Sequence, residues 1–156
     1  MGETFVMPEA KVEEYAKYIP GTDGGKMSKS NNNFINLFLP DKQLRKQIMS
    51  IQTDSTPMEA PKDPNTCNVF AIYKFIGNNT QVEDLREKYL AGNFGYGHAK
   101  QALYELITEK YASQREKYTY YMNNLSEIDV ALEKGAAKAT IVADQVLGKV
   151  RNKLGY

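Results

Sequence analysis

From residue 40 onward the apolar residues return every three or four positions and nowhere alternate in twos. A period near 3.6 buries one stripe of a helix, whereas a half-buried strand needs a period of two. The spacing therefore predicts a mainly α, bundle-like fold for most of the chain. Leu39-Pro40-Asp41 opens a first helix, with proline in its first turn and a carboxylate at its positive end. Leu44, Ile48, Met49 and, one turn on, Ile51 form its apolar face, while Lys42, Arg45 and Lys46 crowd the other. Those cations read either as a solvated face or as a patch for the phosphates of a nucleic acid.

Gln52 to Thr66 carries Pro57, Pro61 and Pro64, which predict an extended strap rather than a helix or central strand. Asn68 to Phe75, with Val69, Phe70, Ile72, Tyr73 and Phe75, reads as a short buried helix closed by Gly77-Asn78-Asn79. Thr80-Gln81-Val82-Glu83 resembles a capping box that starts a third helix lined by Val82, Leu85, Tyr89 and Leu90. Asn78-Asn79-Thr80 also matches a glycosylation sequon, and is taken as the turn alone. The run from Gly92 to Gly97 lacks the preceding strand and the Lys-Ser pair of a phosphate-binding loop, so it reads as an inter-helix turn. His98 opens the next helix with no acid or nucleophile near it in sequence. Ala99, Ala102, Leu103, Leu106, Ile107, Tyr111, Tyr118, Tyr121 and Met122 predict one helix of roughly seven turns. Asn123 to Ser126 breaks the pattern. Ser126, with Asp129 three residues on, is expected to cap a last helix along Ala139, Val142, Ala143, Val146, Leu147, Val150 and Leu154. A short break between two long helices predicts an antiparallel pair.

At 156 residues the chain is about one domain long. Its 20 Lys and Arg against 19 Asp and Glu leave no global basic field, so any nucleic-acid contact must be local. Cys67 is the single cysteine, which excludes an intramolecular disulfide and fits a reducing cytoplasm; with one histidine besides, a protein-only zinc site is not expected. No apolar run reaches membrane-spanning length and no signal-peptide pattern is present. Thr4-Phe5-Val6-Met7 reads as a short buried strand with no sheet to join, which suggests the end of something larger. Glu9 to Tyr18 reads as irregular or one short helix before Pro20.

The stretch with chemistry in it is Lys26-Met27-Ser28-Lys29-Ser30, between Pro20-Gly21-Thr22-Asp23-Gly24-Gly25 and Asn31-Asn32-Asn33. Gly21, Gly24 and Gly25 permit positive φ, and the asparagines tolerate it. Two ammonium groups and two hydroxyls in such a loop can close on a polyphosphate and open again. Phe34-Ile35-Asn36-Leu37-Phe38 is an apolar anchor at its end. A solvated lysine-rich linker is the bland alternative.

The pentapeptide resembles the second signature of class I aminoacyl-tRNA synthetases, and the Pro-Gly-Thr-Asp-Gly-Gly before it resembles the tryptophanyl branch. Gln52-Thr53-Asp54-Ser55-Thr56-Pro57 and Pro64 to Phe70, then Gly95-Tyr96-Gly97-His98-Ala99-Lys100, Gly135 to Ala139 and Val150 to Gly155 are similar to that branch in the same order. Tyrosyl synthetases share the loop but are dissimilar in the tail. The resemblance implies a tryptophan–tRNA ligase that uses ATP with Mg2+ to form tryptophanyl-adenylate and passes it to tRNA(Trp) in the cytoplasm. It implies that Lys26 and Lys29 contact the phosphates, that Ser28 and Ser30 donate hydrogen bonds or shape the loop, and that Met27 packs its hinge. It also implies a division into 1–38, a remnant of the Rossmann-type α/β catalytic domain, and 39–156, a helical anticodon-binding domain. Within that domain Lys100, Lys110, Arg115 and Lys117 are candidate backbone contacts or a solvated face. The first signature of the class, a His-Ile-Gly-His-like turn, and a tryptophan pocket are absent from these 156 residues, so the chain alone is expected to be inactive and monomeric or weakly associated, within a homodimeric complete enzyme. The rival reading is a non-catalytic helical module that binds RNA or protein.

Overall fold

A computed structural model describes residues 4–11 and 18–156. Among them are six helices: α1 (Asp41–Met49), α2 (Asn68–Ile76), α3 (Asn79–Ala91), α4 (Tyr96–Lys110), α5 (Ala112–Asn123) and α6 (Leu125–Leu154). The chain divides into two compact units, residues 12–116 and residues 1–11 with 117–156.

The core lies in the first unit and is built by α4, which packs against both α1 and α2. Leu44, Ile48 and Ile51 meet Ala99, Leu103, Leu106 and Ile107, and Val69, Phe70, Ile72, Tyr73 and Ile76 close the other side. These are the positions the three-and-four spacing selects, because only one stripe of each helix can face the others. Phe75 departs from that expectation and is 42% exposed. From α3, Leu85 and Tyr89 enter the core and Leu90 stays outside. Tyr89 is fully buried, edge-on to Phe70 at 5.4 Å and to Tyr96 at 6.2 Å, with its hydroxyl 3.4 Å from the Cys67 thiol. Burial pushes that hydroxyl far above the usual tyrosine range.

Three helix ends differ from the sequence reading. The capping box of α3 is Asn78 with Gln81, not Thr80 with Glu83: Asn78 Oδ1 accepts from Gln81 N at 2.9 Å and Gln81 Oε1 from Asn78 N at 3.0 Å. Asparagine is a better cap than threonine, so the earlier of the two registers is the one formed. The long helix from Ala99 is interrupted at Tyr111 (φ −105°, ψ 16°), dividing it into α4 and α5. Both flanks of the break are tied down, Lys110 to the Ile76 carbonyl and Arg115 to the Leu37 and Leu39 carbonyls and to Asp41. The last helix begins at Leu125, with Asn124 rather than Ser126 before it, and Asn124 uses its amide to donate to Tyr120 O at 2.7 Å.

In the second unit Lys153 donates to Thr4 Oγ1 at 3.0 Å and Tyr120 to Glu127. Neither α5 nor α6 has a buried residue, so the apolar stripe expected to be covered along the last helix stays exposed. Thr4 to Met7 is not a buried strand. Phe5, Val6 and Met7 are exposed, and no neighbouring strand among the described residues supplies a ladder. The short helix considered for Glu9 to Tyr18 falls largely on residues outside the described ones.

The Pro-rich strap is non-helical, as its prolines require, and is stapled to the core. Lys62 N donates to Tyr89 O at 2.8 Å, and its buried ammonium donates to the carbonyls of Pro57, Met58 and Ala60 at 3.0, 3.2 and 3.0 Å.

Candidate functional site

The Lys26–Ser30 loop sits in the first unit, and its two edges are held differently. On one edge Met27 N donates to Ile19 O at 2.9 Å beside an antiparallel Pro20–Lys26 bridge, and Gly21 N donates to Gly25 O at 2.7 Å. On the other edge the buried side chain of Asn33 takes the place of a strand. Its Oδ1 accepts from Ser28 N at 2.7 Å, and its Nδ2 donates to Lys26 O at 3.1 Å and to Asp23 Oδ1 at 2.7 Å. Thr22 N donates to Asn33 O at 2.8 Å. Asp23 also accepts from Gly25 N at 2.9 Å, and the Asn33 amide holds its carboxyl below the usual range.

The glycines serve two purposes here. Gly24 adopts φ +82°, where a side chain is strained. Gly21 instead makes room: a Cβ there would stand 2.4 Å from Asn33 Cγ. Gly25 does not use positive φ, and of the three asparagines Asn32 does (φ 53°), in a turn closed by Asn32 N to Lys29 O at 3.1 Å.

The loop's exit is fixed to the helices by long polar side chains. Gln47 on α1 donates to Phe34 O at 2.7 Å and accepts from Asn36 N at 2.9 Å. Arg115 on α5 reaches the carbonyls of Leu37 and Leu39 and the carboxylate of Asp41. Ile35 and Leu37 pack on the core, and with Met27, Ile72 and Tyr111 they line an apolar cavity of about 130 Å³. Thus Met27 points inward, while Lys26, Lys29 and Ser30 are exposed and Ser28 is half-buried. Ser28 Oγ accepts from Ser30 N at 3.2 Å. The arrangement presents two ammonium groups to solvent from a backbone already braced, which suits a multiply charged anion.

The other candidate cations divide. Lys42, Arg45 and Lys46 are exposed, and Arg45 donates to Gln101 at 3.0 Å. Lys100 is partly buried on Met49 O at 3.1 Å, which holds its ammonium below the usual range by desolvation, and Lys110 and Arg115 are engaged as described. Lys117 is exposed. His98 is exposed, with Nδ1 accepting from Gly95 N at 3.3 Å, a helix-start contact rather than a catalytic pair. Sequence reasoning missed Asn33 and Asp23 as braces. The available signal was an Asn after the serine and an Asp inside the glycine run, both able to bond backbone groups. It also missed the Tyr96 hydroxyl, which donates to Asp54 at 2.9 Å across 42 residues of sequence.

A family model described as tRNA synthetases class I (W and Y) matches residues 4–112. The tryptophan–tRNA ligase of Fusobacterium nucleatum subsp. nucleatum is 42% identical over 98% of this chain and 47% of its own length. That of Rhodopirellula baltica is 44% identical over 99% of this chain and 48% of its own. A crystal structure of tryptophanyl-tRNA synthetase from Campylobacter jejuni, complexed with ADP and tryptophan, matches with a TM-score of 0.87 at 42% identity, over 99% of this chain and 49% of that one. The chain spans about half the length of the curated relatives it matches.

Proposed function

This chain belongs to the class I tRNA synthetases of the tryptophan and tyrosine family, and on that premise we propose that it supplies the nucleotide-facing loop and the helical tRNA-contacting part of a tryptophan–tRNA ligase. The loop is the observation that supports this most. Its backbone is fixed and both ammonium groups are exposed, in a chain 42% identical to a synthetase whose structure holds ADP and tryptophan. In this reading the tryptophan carboxylate attacks the α-phosphorus of ATP. A carboxyl oxygen–phosphorus bond forms, the bond to the β-phosphate's bridging oxygen breaks, and pyrophosphate leaves. Lys26 and Lys29 stabilise the charge gathering on the leaving group, while Ser28 and Ser30 shape the turn and Met27 anchors it. Among the described residues no three His, Cys, Asp or Glu side chains stand together to hold a metal ion. A Mg2+ arriving with ATP would be held chiefly by the nucleotide's own phosphate oxygens and would offset their charge, and no step here runs through it.

Residues 1–38 then belong to the catalytic half and 39–156 to the half that meets tRNA(Trp), in a cytoplasmic enzyme that is a homodimer when complete. Among the described residues no helix is long and apolar enough to cross a membrane. The 156 residues carry no His-Ile-Gly-His-like turn, so on their own they are expected to give no tryptophan-dependent pyrophosphate exchange.

The test is Lys29→Ala in the complete ligase. Loss of one donor to a developing oxyanion costs about 10²–10³-fold in rate, so exchange should fall by that order. Melting should not change, because Lys29 is exposed. Exchange at the wild-type rate would remove the lid reading. A salt-dependent RNA affinity whose slope drops by about one would favour the binding module instead.

A further inference from the structure

Among the described residues the buried polar or charged side chains are Asn33 and Lys62. Lys62 is satisfied by the strap it holds. Asn33 is different, because two of its amide's bonds go to the Lys26–Ser30 loop that carries the two exposed lysines and the third to Asp23 just ahead of it. Lys26 C=O and Ser28 N–H are the peptide groups on either side of Met27. In an extended segment these two point the same way and would pair with one residue of a neighbouring strand. The Asn33 amide supplies that pairing from a side chain. Its orientation is settled by its partners, since Ser28 N–H can only donate, and the Asp23 carboxylate and Lys26 carbonyl can only accept. Gly21 leaves the space the amide occupies.

We propose that Asn33 is the positioning residue of the loop: by clamping the peptide groups flanking Met27 it fixes the directions from which Lys26 and Lys29 present their ammonium groups to the leaving diphosphate. The inference rests on the lid reading above. Asn33 touches no reacting atom, and it acts through the two lysines.

Asn33→Asp tests this in the complete ligase. It is isosteric, loses both donor bonds and sets a second carboxylate against Asp23. A misplacement of about 1 Å costs on the order of 10²-fold, so kcat for pyrophosphate exchange should fall roughly 10–100-fold. KM for tryptophan should stay within about twofold, because the amide positions phosphate-facing groups only. Asn33→Asp combined with Lys29→Ala should lose clearly less than the product of the two single losses, because part of the effect of Asn33 runs through Lys29 and part through Lys26. Gly21→Ala, whose Cβ would press on the Asn33 amide, should reproduce the effect by an independent route. Hydrogen exchange should show the Ser28 amide losing protection in Gly21→Ala, and in Asn33→Asp as far as repulsion from Asp23 displaces the acceptor oxygen that the carboxylate keeps, while α1 to α4 keep theirs. The inference is overturned if Asn33→Asp and Gly21→Ala retain kcat, if the double-variant losses multiply, or if protection falls equally throughout the helices. If Lys29→Ala itself is silent, the lid reading fails. If Lys29→Ala is costly and the Asn33 variant is not, only the role of Asn33 fails.

Discussion

Replacing Lys62 by Met isolates what one buried cation does for the strap. Lys62 is 3% exposed, and among the described residues its ammonium bonds to the carbonyls of Pro57, Met58 and Ala60, with the Tyr96 ring 5.4 Å away. Each hydrogen bond to a charged group contributes about 1.5–3 kcal/mol net. The plain sum overstates the loss, because Pro57 and Met58 are exposed and their carbonyls can turn to water. The cation–π contact adds about 0.5–1 kcal/mol. In the other direction, methionine fills similar space and relieves the desolvation cost of the ammonium. Together these give a destabilisation of about 2–4 kcal/mol, in the range reserved for broken buried networks. Urea unfolding followed by circular dichroism reads it directly as a lower midpoint. A change under about 0.5 kcal/mol would falsify the reasoning, since that is what an ordinary surface lysine costs.

Ile107→Ala, at a fully buried position of α4, should destabilise by about 2–5 kcal/mol in the same assay. Burial first, and then the hydrogen bond to Asp54, push the Tyr96 hydroxyl up to about 12. An unfolded tyrosine ionises near 10, so between about pH 10 and 12 the folded state holds the extra proton and stability falls as pH rises. Tyr96→Phe should reduce that slope in alkaline unfolding curves; an unchanged slope would assign the loss to other groups.

Much of the first unit was legible in sequence. Leu44, Ile48, Val69, Leu85, Leu103 and Ile107 are core residues because helical spacing leaves them no other face. That Lys26 to Ser30 form a loop with both lysines exposed was legible as well, from the glycines and asparagines that flank them. Other features were not. Asn78 and Thr80 each begin a capping-box pattern, and the helix uses Asn78, the stronger cap of the two. The periodicity continues through Tyr111, yet the helix is interrupted there beside the ties made by Lys110 and Arg115 to residues 34 to 78 positions away. Thr4 to Met7 has strand-forming residues, but a strand exists only where a second strand meets it.

The amino-acid sequence by itself determined the helical class, the inward-facing stripe and the loop that leaves Lys26 and Lys29 exposed. Each of these depends on residue type and local spacing, which the chain carries wherever it folds. Tertiary structure alone decided that Asn33 and Lys62 would be buried and that Gln47 and Arg115 would grip the loop's exit. Their hydrogen bonds form only after distant segments have been brought together. A polar residue shows in sequence what it can bond, and the fold selects which of those bonds it makes.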